Sequence, residues 1–525
     1  MRALLLAIII LFHGINNYFW LKQDNESMGT DVASHVSCAV SFHQQLKNIF
    51  FSGEQPAEKC KWLVFLFLSG PFYWPHLVHF LAALAAFISQ DVLFWIRFSN
   101  LFYFAALVIG TYLLGKKVHS TQAGLLAAVF ISLYPGIFGL SRKFGLDFPL
   151  TSIVCLAIYF LLSSEGFQNR RYSALFGIAS GLGMLIKGQF LLFLAGPSLF
   201  VAVTGFMRSR DKRNYFFNLS FSAALAAGIA FVWWHKFFSP AIEAPRYIDF
   251  LWYKPGALRS FYFYLRGAFL YISPLFFAAF LLGLALYLKN FKKVRLFFLS
   301  WAALPCIFFL LFYKLDNERY IFPFFPALAL ITAIGILELA SRKLMRRLII
   351  FFILTGALQF FGLSYAGLAP PSCWMVHSPQ KNTHRLIINE FNRIMQGVKP
   401  GRREIGIIEE EYFSGDPCLR LAYFLKLADE KNNVSLSADG VRIYHLSLSR
   451  ELLSKAFLSR QDNYDFLIVF SQDGEGPDFS GLEKFSTEQE KEMAAAAIKK
   501  FKKFQIIKRR IFWPGEIYVF LLKKT

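Results

Sequence analysis

Acidic residues are scarce in this sequence, and their scarcity limits the possible partners of the protein. The chain of 525 residues contains 34 Asp and Glu against 56 Lys and Arg, which gives a formal net charge of +22. A surplus of this size can indicate nucleic-acid binding. Here, however, much of the positive charge lies in short loops between apolar segments, where the positive-inside rule of membrane proteins accounts for it. The distribution of the positive charge therefore argues against nucleic acid as a partner. It predicts membrane lipids as partners instead.

The short motifs of soluble catalytic domains are also missing. The sequence has no CxxC, no HExxH and no His/Cys cluster with the spacing of metal ligands, so it predicts no metal site of that kind. It has neither a P-loop nor the glycine motif of a Rossmann fold. A nucleotide-linked substrate bound by such a domain is therefore not expected.

Cysteine is rare, with six residues in the chain. Cys155 and Cys306 fall in apolar segments and are expected to pack as small apolar side chains. The other four form two pairs by position, Cys38 with Cys60 and Cys373 with Cys418. Each pair could form a disulfide in an oxidising periplasm or extracellular space, or remain reduced.

Apolar residues, by contrast, make up 56% of the chain, and aromatic residues 18%. Apolar segments of about 18 residues or more recur to near residue 365, which predicts a polytopic α-helical membrane protein. The first segment, residues 1–20, has the basic start and apolar centre of a signal peptide but no small-x-small cleavage site. We therefore expect an uncleaved first crossing and assign residues 1–365 to a transmembrane domain.

Eleven crossings are predicted, with the N-terminus inside and the C-terminus outside. They lie near residues 3–20, 97–115, 121–138, 148–163, 172–186, 189–206, 216–234, 266–288, 294–312, 322–338 and 347–365. The loops placed inside contain Lys116, Lys117, Arg170, Arg171, Arg208, Arg210, Lys212, Arg213, Lys289, Lys292, Lys293, Arg295, Arg342, Lys343, Arg346 and Arg347. Only Glu165, Asp211 and Glu338 oppose them, a bias that fixes the predicted orientation.

The first outer loop, residues 21–96, is predicted to contain surface helices. Residues 72–90 are apolar enough to cross a membrane, but a crossing there would put every later basic loop outside. We expect a helix at the outer surface, with an ordinary crossing as the alternative. Earlier in the loop, Val32, Val36, Val40 and Leu46 recur near helical spacing, which predicts an amphipathic surface helix. Asp31 and His35 share the other face.

The segment from Gly139 to Gly188 combines two crossings with charges at their ends. Asp147 precedes the first crossing and Lys187 follows the second. A charge within hydrocarbon costs about 2.5–3.5 kcal/mol on insertion scales. These two side chains should therefore face a polar cavity, or form an interfacial pair that anchors two helix ends.

This segment carries a resemblance to a known family. The pattern SR…LDxPL, a crossing, a basic turn and GxxxGLGxLxKG is similar to that of bacterial integral-membrane glycosyltransferases. These are related to protein O-mannosyltransferases and to the aminoarabinose transferases of lipid A. The resemblance covers residues 1–340 and implies a GT-C-like fold of about eleven transmembrane helices.

The resemblance implies two catalytic carboxylates, Asp31 and Asp147. Asp31 matches the acidic residue that opens the family's first outer loop and acts as general base. Val32 stands where the family commonly has a paired Glu, which weakens the inference of a bound metal; Asp147 could still ligate a divalent ion. Asp31 as an ordinary helix N-cap is the alternative.

The resemblance also implies residues that bind the substrate. Lys187, Lys314 and Arg319 are expected to bind the phosphate of a lipid-linked donor, because a guanidinium fork and an ammonium both suit phosphate oxygens. Tyr320 lies in the matching RYxxPxxP pattern. His35 and Arg97 complete the candidate set, and lipid-headgroup anchoring is the alternative for the basic residues.

From about residue 366 the sequence becomes polar. Short β-like runs alternate with helix-like stretches in residues 366–525, which predicts an extracytoplasmic, periplasmic α/β domain. The turn WPGE predicts a terminal hairpin. No catalytic motif is recognisable there.

Together these features predict a glycosyltransferase of the bacterial inner membrane. It would move a sugar from a polyprenyl-phosphate donor to a hydroxyl of a glycan, lipid or protein, with inversion implied by the resemblance. A flippase or transporter of a lipid-linked glycan is one alternative. A membrane-anchored sensor or assembly protein is another.

Overall fold

The computed structural model describes residues 2–24, 30–69, 75–235, 257–290, 292–312, 317–339, 341–369 and 376–379, and five strands between residues 403 and 524. The chain divides into two compact units. The first comprises Met1–Asp24 and Cys38–Gln380, and the second Asn25–Ser37 and Lys381–Thr525.

The described helices are α1 (Arg2–Gln23), α2 (Thr30–Phe51), α3 (Pro56–Ser69), α4 (Leu77–Ala85), α5 (Val92–Phe98), α6 (Asn100–Val118), α7 (Thr121–Leu133), α8 (Pro135–Leu140), α9 (Asp147–Ser163), α10 (Arg170–Met184), α11 (Phe190–Arg208), α12 (Lys212–Trp234), α13 (Ala257–Ile272), α14 (Pro274–Asn290), α15 (Lys292–Leu311), α16 (Phe325–Leu337) and α17 (Arg342–Tyr365). Two 3-10 helices, Ala86–Ile88 and Glu318–Phe324, complete the helical part.

Long apolar helices confirm a multi-pass membrane protein. Within the described residues, six helical segments are long and apolar enough to cross a membrane, and a bent pair raises the number to seven. Every predicted crossing overlaps a helix, but several of these, such as α7 and α9, are shorter than a straight span requires. The predicted number of eleven crossings therefore stays a prediction.

The predicted crossing at 266–288 is not one straight helix, and whether it spans the membrane stays a prediction. The chain forms α13 and α14 instead, bent by 108°. Ser273, between them, has φ of 80°, and Pro274 has no N–H to continue the hydrogen bonds of α13. Ser273 Oγ accepts a hydrogen bond from Phe276 N at 3.4 Å and so begins α14 anew.

The helices of the first outer loop have a small core of their own. Phe42 and Leu46 of α2 pack with Leu66 of α3 and Ala83 of α4. The predicted apolar stripe of α2 is confirmed for Val36, Val40 and Leu46, which are at most 1% exposed, whereas Val32 is half-buried.

The apolar segment predicted near residues 72–90 forms a short helix in its described part. Leu77–Ile88 is an apolar helical stretch that would extend about 18 Å at 1.5 Å per residue. The hydrocarbon core of a bilayer is about 30 Å thick. This length supports a surface helix and argues against an ordinary crossing.

The glycines of the segment ALFGIASGLGM allow α10 to approach α12. A Cβ on Gly177 would collide with the carbonyl oxygen of Ser222, and one on Gly181 would lie 2.6 Å from Ile229 Cβ. This packing fixes the course of α10, and with it the turn that follows, where Lys187 lies.

Five strands form a mixed sheet in the second unit: β1 (Arg403–Glu409), β2 (Val441–Ser447), β3 (Phe466–Ser471), β4 (Phe504–Trp513) and β5 (Ile517–Lys524). Their order is β2-β1-β3-β5-β4. β1 is parallel to β2 and β3, whereas β5 is antiparallel to β3 and β4. The predicted hairpin around WPGE is confirmed by the β4–β5 pairing; the helix-like stretches lie outside the described residues, so the α/β class stays a prediction.

Candidate active site

A carboxylate and two cations from three parts of the chain meet at the N-terminal end of α9. Lys187 Nζ donates a hydrogen bond to Asp147 Oδ1 at 2.7 Å. Arg319 Nε lies 3.3 Å from the other oxygen, Oδ2. The three side chains are 8%, 12% and 16% exposed for Asp147, Lys187 and Arg319. We call Asp147, Lys187 and Arg319 the charged triad.

Local structure explains the position of Asp147. It is the first residue of α9, where the helix dipole and unpaired N–H groups favour a negative charge. Pro149 is tolerated because it lies in the first turn, and Thr151 Oγ1 donates to the Asp147 carbonyl at 2.8 Å. The carboxylate is therefore presented from a well-formed helix end.

Lys187 lies in the turn between α10 and α11. Its N–H donates to the Gly183 carbonyl at 3.1 Å, which tightens the end of α10. Trp234 Nε1, at the end of α12, donates to the Met184 carbonyl at 3.1 Å. Consequently, the turn is held from two sides, and the Lys187 stem is directed toward α9.

Tyr320 lies beneath the ammonium group of Lys187. Lys187 Nζ is 5.2 Å from the centre of its ring, within the range of a cation–π interaction. The ring in turn stacks on Phe309, at 5.3 Å between centroids and 14° between planes. The predicted residues Asp147, Lys187, Arg319 and Tyr320 are thus brought together.

Three residues that the sequence did not single out make hydrogen bonds at Arg319 or at its neighbour in the chain. Tyr271 donates a hydrogen bond to Glu318 Oε2 at 2.8 Å, and both side chains are buried. The Asn317 side chain accepts from Arg319 N at 3.2 Å and caps the 3-10 helix. Glu318 was visible only as an acidic neighbour of Arg319, and nothing in the sequence pointed to Tyr271.

Arg97 is placed in a different cluster. Arg97 Nη2 donates to Asp24 Oδ2 at 2.7 Å, with side-chain exposures of 10% and 0%. His377 Nε2 lies 3.4 Å from Asp24 Oδ1. Burial acts to raise the pKa of the Asp24 carboxyl, but His377 and Arg97 outweigh it and hold that pKa well below its usual range. Asp24 was not among the predicted residues, because its contact with Arg97, 73 residues away, cannot be read from the local sequence.

The remaining predicted residues are only partly described. Helix α2 already includes Thr30, so Asp31 lies within the first turn and is not its N-cap; its side chain lies outside the described residues. His35, one turn later, is 4% exposed and so does not lie on an exposed polar face. Lys314 lies outside the described residues. The catalytic role of Asp31 and the binding roles of His35 and Lys314 stay predictions.

Cys38 and Cys60 are both free, so the predicted option of a disulfide between them is wrong; Cys373 and Cys418 lie outside the described residues. Within the described ranges no group of three or more His, Cys, Asp or Glu side chains could hold a metal ion. In that part of the chain, Asp147 faces two cations rather than further carboxylates.

Comparisons with known proteins identify the class of fold. Residues 74–234, which include Asp147 and Lys187, match the family described as dolichyl-phosphate-mannose-protein mannosyltransferase. No curated protein matches the chain. The stated family resemblance is thereby confirmed over this segment.

Solved structures extend the likeness to the whole chain. ArnT from Cupriavidus metallidurans bound to undecaprenyl phosphate has a TM-score of 0.61 at 13% identity, and the match covers 98% of this chain and 97% of ArnT. The arabinofuranosyltransferase AftD from mycobacteria has a TM-score of 0.57 at 13% identity, over 99% and 40%. The archaeal oligosaccharyltransferase AglB from Archaeoglobus fulgidus, in complex with an inhibitory peptide and a dolichol-phosphate, has 0.51 at 12%, over 89% and 69%. The chain therefore has the GT-C fold of these membrane glycosyltransferases.

Proposed function

We propose that the protein is a glycosyltransferase that moves a sugar from a polyprenyl-phosphate donor to an acceptor hydroxyl. The observation that carries the proposal is the charged triad, in which Lys187 and Arg319 converge on the single carboxylate of Asp147. A lipid-borne donor requires a membrane-embedded enzyme, and its phosphate leaving group requires cations. The triad supplies both cations at the end of membrane helices.

Asp147 acts in this proposal as the group that orients the two cations. Lys187 and Arg319 would repel one another without a carboxylate between them. Asp147 faces the Nε edge of the guanidinium, so a phosphate would approach along the Nη edge and the outer side of the ammonium. Two parallel N–H donors of Arg suit paired phosphate oxygens, while Lys acts as a point charge. Asp147 could also orient sugar or acceptor hydroxyls.

The chemical step is a displacement at the anomeric carbon of the sugar. A bond forms from the acceptor oxygen to that carbon, and the bond from the carbon to the phosphate oxygen breaks. The electron pair leaves with the phosphate, and the acceptor proton passes to a general base, for which we propose Asp31. A single displacement would invert the anomeric centre, as the family resemblance implies.

The comparisons support the donor class. One structural neighbour is bound to undecaprenyl phosphate, and another is in complex with a dolichol-phosphate and an inhibitory peptide. By analogy we propose a polyprenyl phosphate carrier and a glycan, lipid or protein acceptor. The analogy is one of fold, so the triad rather than the fold carries the activity.

The basic loops support a location and an orientation. We propose that the chain lies in a bacterial inner membrane with its N-terminus in the cytoplasm. Lys117 and Arg170 would then lie at the cytoplasmic face, in keeping with the positive-inside rule. The triad and the C-terminal sheet would face the periplasm.

Donor turnover in reconstituted membranes tests the proposal. The full-length protein is supplied with a panel of polyprenyl-phosphate sugars and a cell-envelope extract, and release of free polyprenyl phosphate is followed. We expect release by the wild type and its loss in Lys187→Ala. Lys117→Ala is the matched control, since Lys117 pairs with Glu165 at 3.1 Å in an exposed site. No release with any donor, together with movement of the lipid between leaflets, would favour a flippase.

A further inference from the structure

Arg142 is a buried arginine that forms no direct ion pair with a carboxylate in the described part of the chain, although the charge of Asp24 acts on it. Its side chain is 1% exposed. Arg142 Nε donates to Asn17 Oδ1 and Nη1 donates to Ser364 Oγ, both at 2.9 Å. A buried guanidinium is costly to desolvate, so its presence here demands a compensating environment and a reason.

Three aromatic rings supply the compensating environment. The guanidinium carbon lies 5.0 Å from the Trp20 ring centre, 5.4 Å from Phe138 and 5.3 Å from Phe360. Cation–π attraction is strongest where water is excluded. The side chain is therefore fixed in one place by α1, α8 and α17, to which these partners belong.

The backbone of the same segment is held as firmly as the Arg142 side chain. The Arg142 carbonyl accepts from Arg97 Nε at 3.1 Å. Asn100 Nδ2 donates to the carbonyls of Leu140 at 3.3 Å and Lys143 at 2.8 Å. Three carbonyls within four residues are thus fixed by side chains of α5 and α6.

The segment from Leu140 to Leu146 leads directly into Asp147. Phe144 within it is fully buried, and α9 begins at Asp147 immediately after Leu146. Any shift of this segment would move the Asp147 carboxylate relative to Lys187 at 2.7 Å and Arg319 at 3.3 Å. A displacement of about 1 Å at a reacting site can cost 10²-fold in rate.

We propose that Arg142 is a positioning residue, whose buried guanidinium fixes residues 140–146 and thereby centres the Asp147 carboxylate between Lys187 and Arg319. The inference rests on the proposed function, because its readout is binding of the donor phosphate. Arg142 does not touch the substrate; it acts through Asp147.

A double-mutant cycle on the full-length protein in nanodiscs tests the inference. Binding of undecaprenyl phosphate is measured for the wild type, Arg142→Lys, Asp147→Asn and the double variant. Lysine keeps the charge but cannot donate to Asn17 and Ser364 in the fork geometry. We expect Arg142→Lys to weaken binding about tenfold in the wild-type background and less than about twofold in the Asp147→Asn background, because coupled residues are non-additive.

Two further variants serve as a second test and as a control. Ser364→Ala removes one hydrogen-bond acceptor of the Arg142 guanidinium and should show the same pattern at about two- to threefold. The test therefore survives if Arg142→Lys does not fold. Arg170→Lys is the control, because Arg170 also lies over two rings, Phe217 and Phe221, but has no contact with residues 140–146. Its binding should equal that of the wild type.

The outcomes separate the two proposals. The positioning role would be overturned if Arg142→Lys weakened binding of undecaprenyl phosphate equally in both backgrounds, or in neither. The transferase would still be supported in that case, provided that the wild type binds undecaprenyl phosphate and Lys187→Ala abolishes this binding. If Lys187→Ala binds undecaprenyl phosphate as tightly as the wild type does, the phosphate assignment itself is overturned, and the role of Arg142 with it.

Discussion

Two ion clusters in this protein use the same residue types for different ends. Asp24 and Arg97 form a pair that is 0% and 10% exposed, next to fully buried Arg142. Asp147, Lys187 and Arg319 are 8%, 12% and 16% exposed. The difference teaches that access, not the presence of an ion pair, distinguishes an anchor from a site.

The Asp24 cluster is closed, because the carboxylate has Arg97 on one oxygen and His377 toward the other. The triad has two cations on one carboxylate, and its side chains are more exposed than those of Asp24 and Arg97. Glu318, next to Arg319 in the chain, accepts a hydrogen bond from Tyr271 through Oε2. We therefore expect a phosphate to reach the triad and not the Asp24 cluster.

The largest expected effect is on stability and comes from breaking the closed cluster. Arg97→Ala leaves the buried Asp24 charge without its guanidinium and frees the Arg142 carbonyl, so we expect a loss of about 3–5 kcal/mol. Thermal unfolding in detergent measures it. Unchanged unfolding would show that Arg97 is available to a ligand, as the sequence first suggested, and would erase the contrast between the clusters.

The next largest effect should fall on turnover. Lys187→Ala removes one cation from the leaving phosphate, and loss of a group that stabilises developing charge costs about 10²–10³-fold in rate. Release of polyprenyl phosphate measures it, with thermal unfolding as the check on folding. If Lys187→Ala unfolds early but turns over normally, the triad is an anchor like the Asp24 cluster.

A smaller effect is expected from the second layer of the site. Tyr271→Phe removes the hydroxyl that donates to Glu318, and a hydrogen bond to a charged group contributes about 1.5–3 kcal/mol. The 3-10 helix that carries Arg319 should loosen, which weakens binding of undecaprenyl phosphate. Tyr262→Phe is the control, because Tyr262 lies on α13 like Tyr271 but is 68% exposed. Equal binding by both variants would contradict the role of the Tyr271–Glu318 contact.

The smallest effect concerns pH. The pKa of Asp24 is lowered in the folded protein from its ordinary value of 3.8, so the stabilisation from its charge is complete above that value and is lost as the pH falls below it. Unfolding temperature should therefore drop below about pH 4, and less so in Asp24→Asn. The same drop in both proteins would assign the acid sensitivity to other groups.

Much of the helical part could be predicted from sequence, because hydropathy is a local property. Segments such as 189–206 and 347–365 coincide with α11 and α17. The bend between α13 and α14 was missed, although Pro274 was visible, since a single Pro does not by itself specify a 108° turn. The period of the apolar stripe on α2 correctly predicted the burial of Val36, Val40 and Leu46, whereas Val32, its first member, is half-buried.

Several residues of the candidate site could be predicted from the sequence, but their contacts with one another could not. Charges beside apolar segments are unusual, and for this reason Asp147, Lys187 and Arg319 stood out. The family resemblance pointed to the same three positions and added Tyr320. Their contacts join residues far apart in sequence, and no local pattern encodes such a distance. For the same reason, Cys38 and Cys60 were paired by position in the sequence, yet both are free.

The sequence by itself determined which segments are apolar, where charges interrupt them, and that the ends of those segments carry both acids and bases. Only the tertiary structure decided that Lys187 and Arg319 share Asp147, that Arg97 turns to Asp24, and that Arg142 is enclosed by three rings. The reason is physical: the free energy of burying a charge depends on which partners surround it. Those partners are brought together by the packing of distant helices.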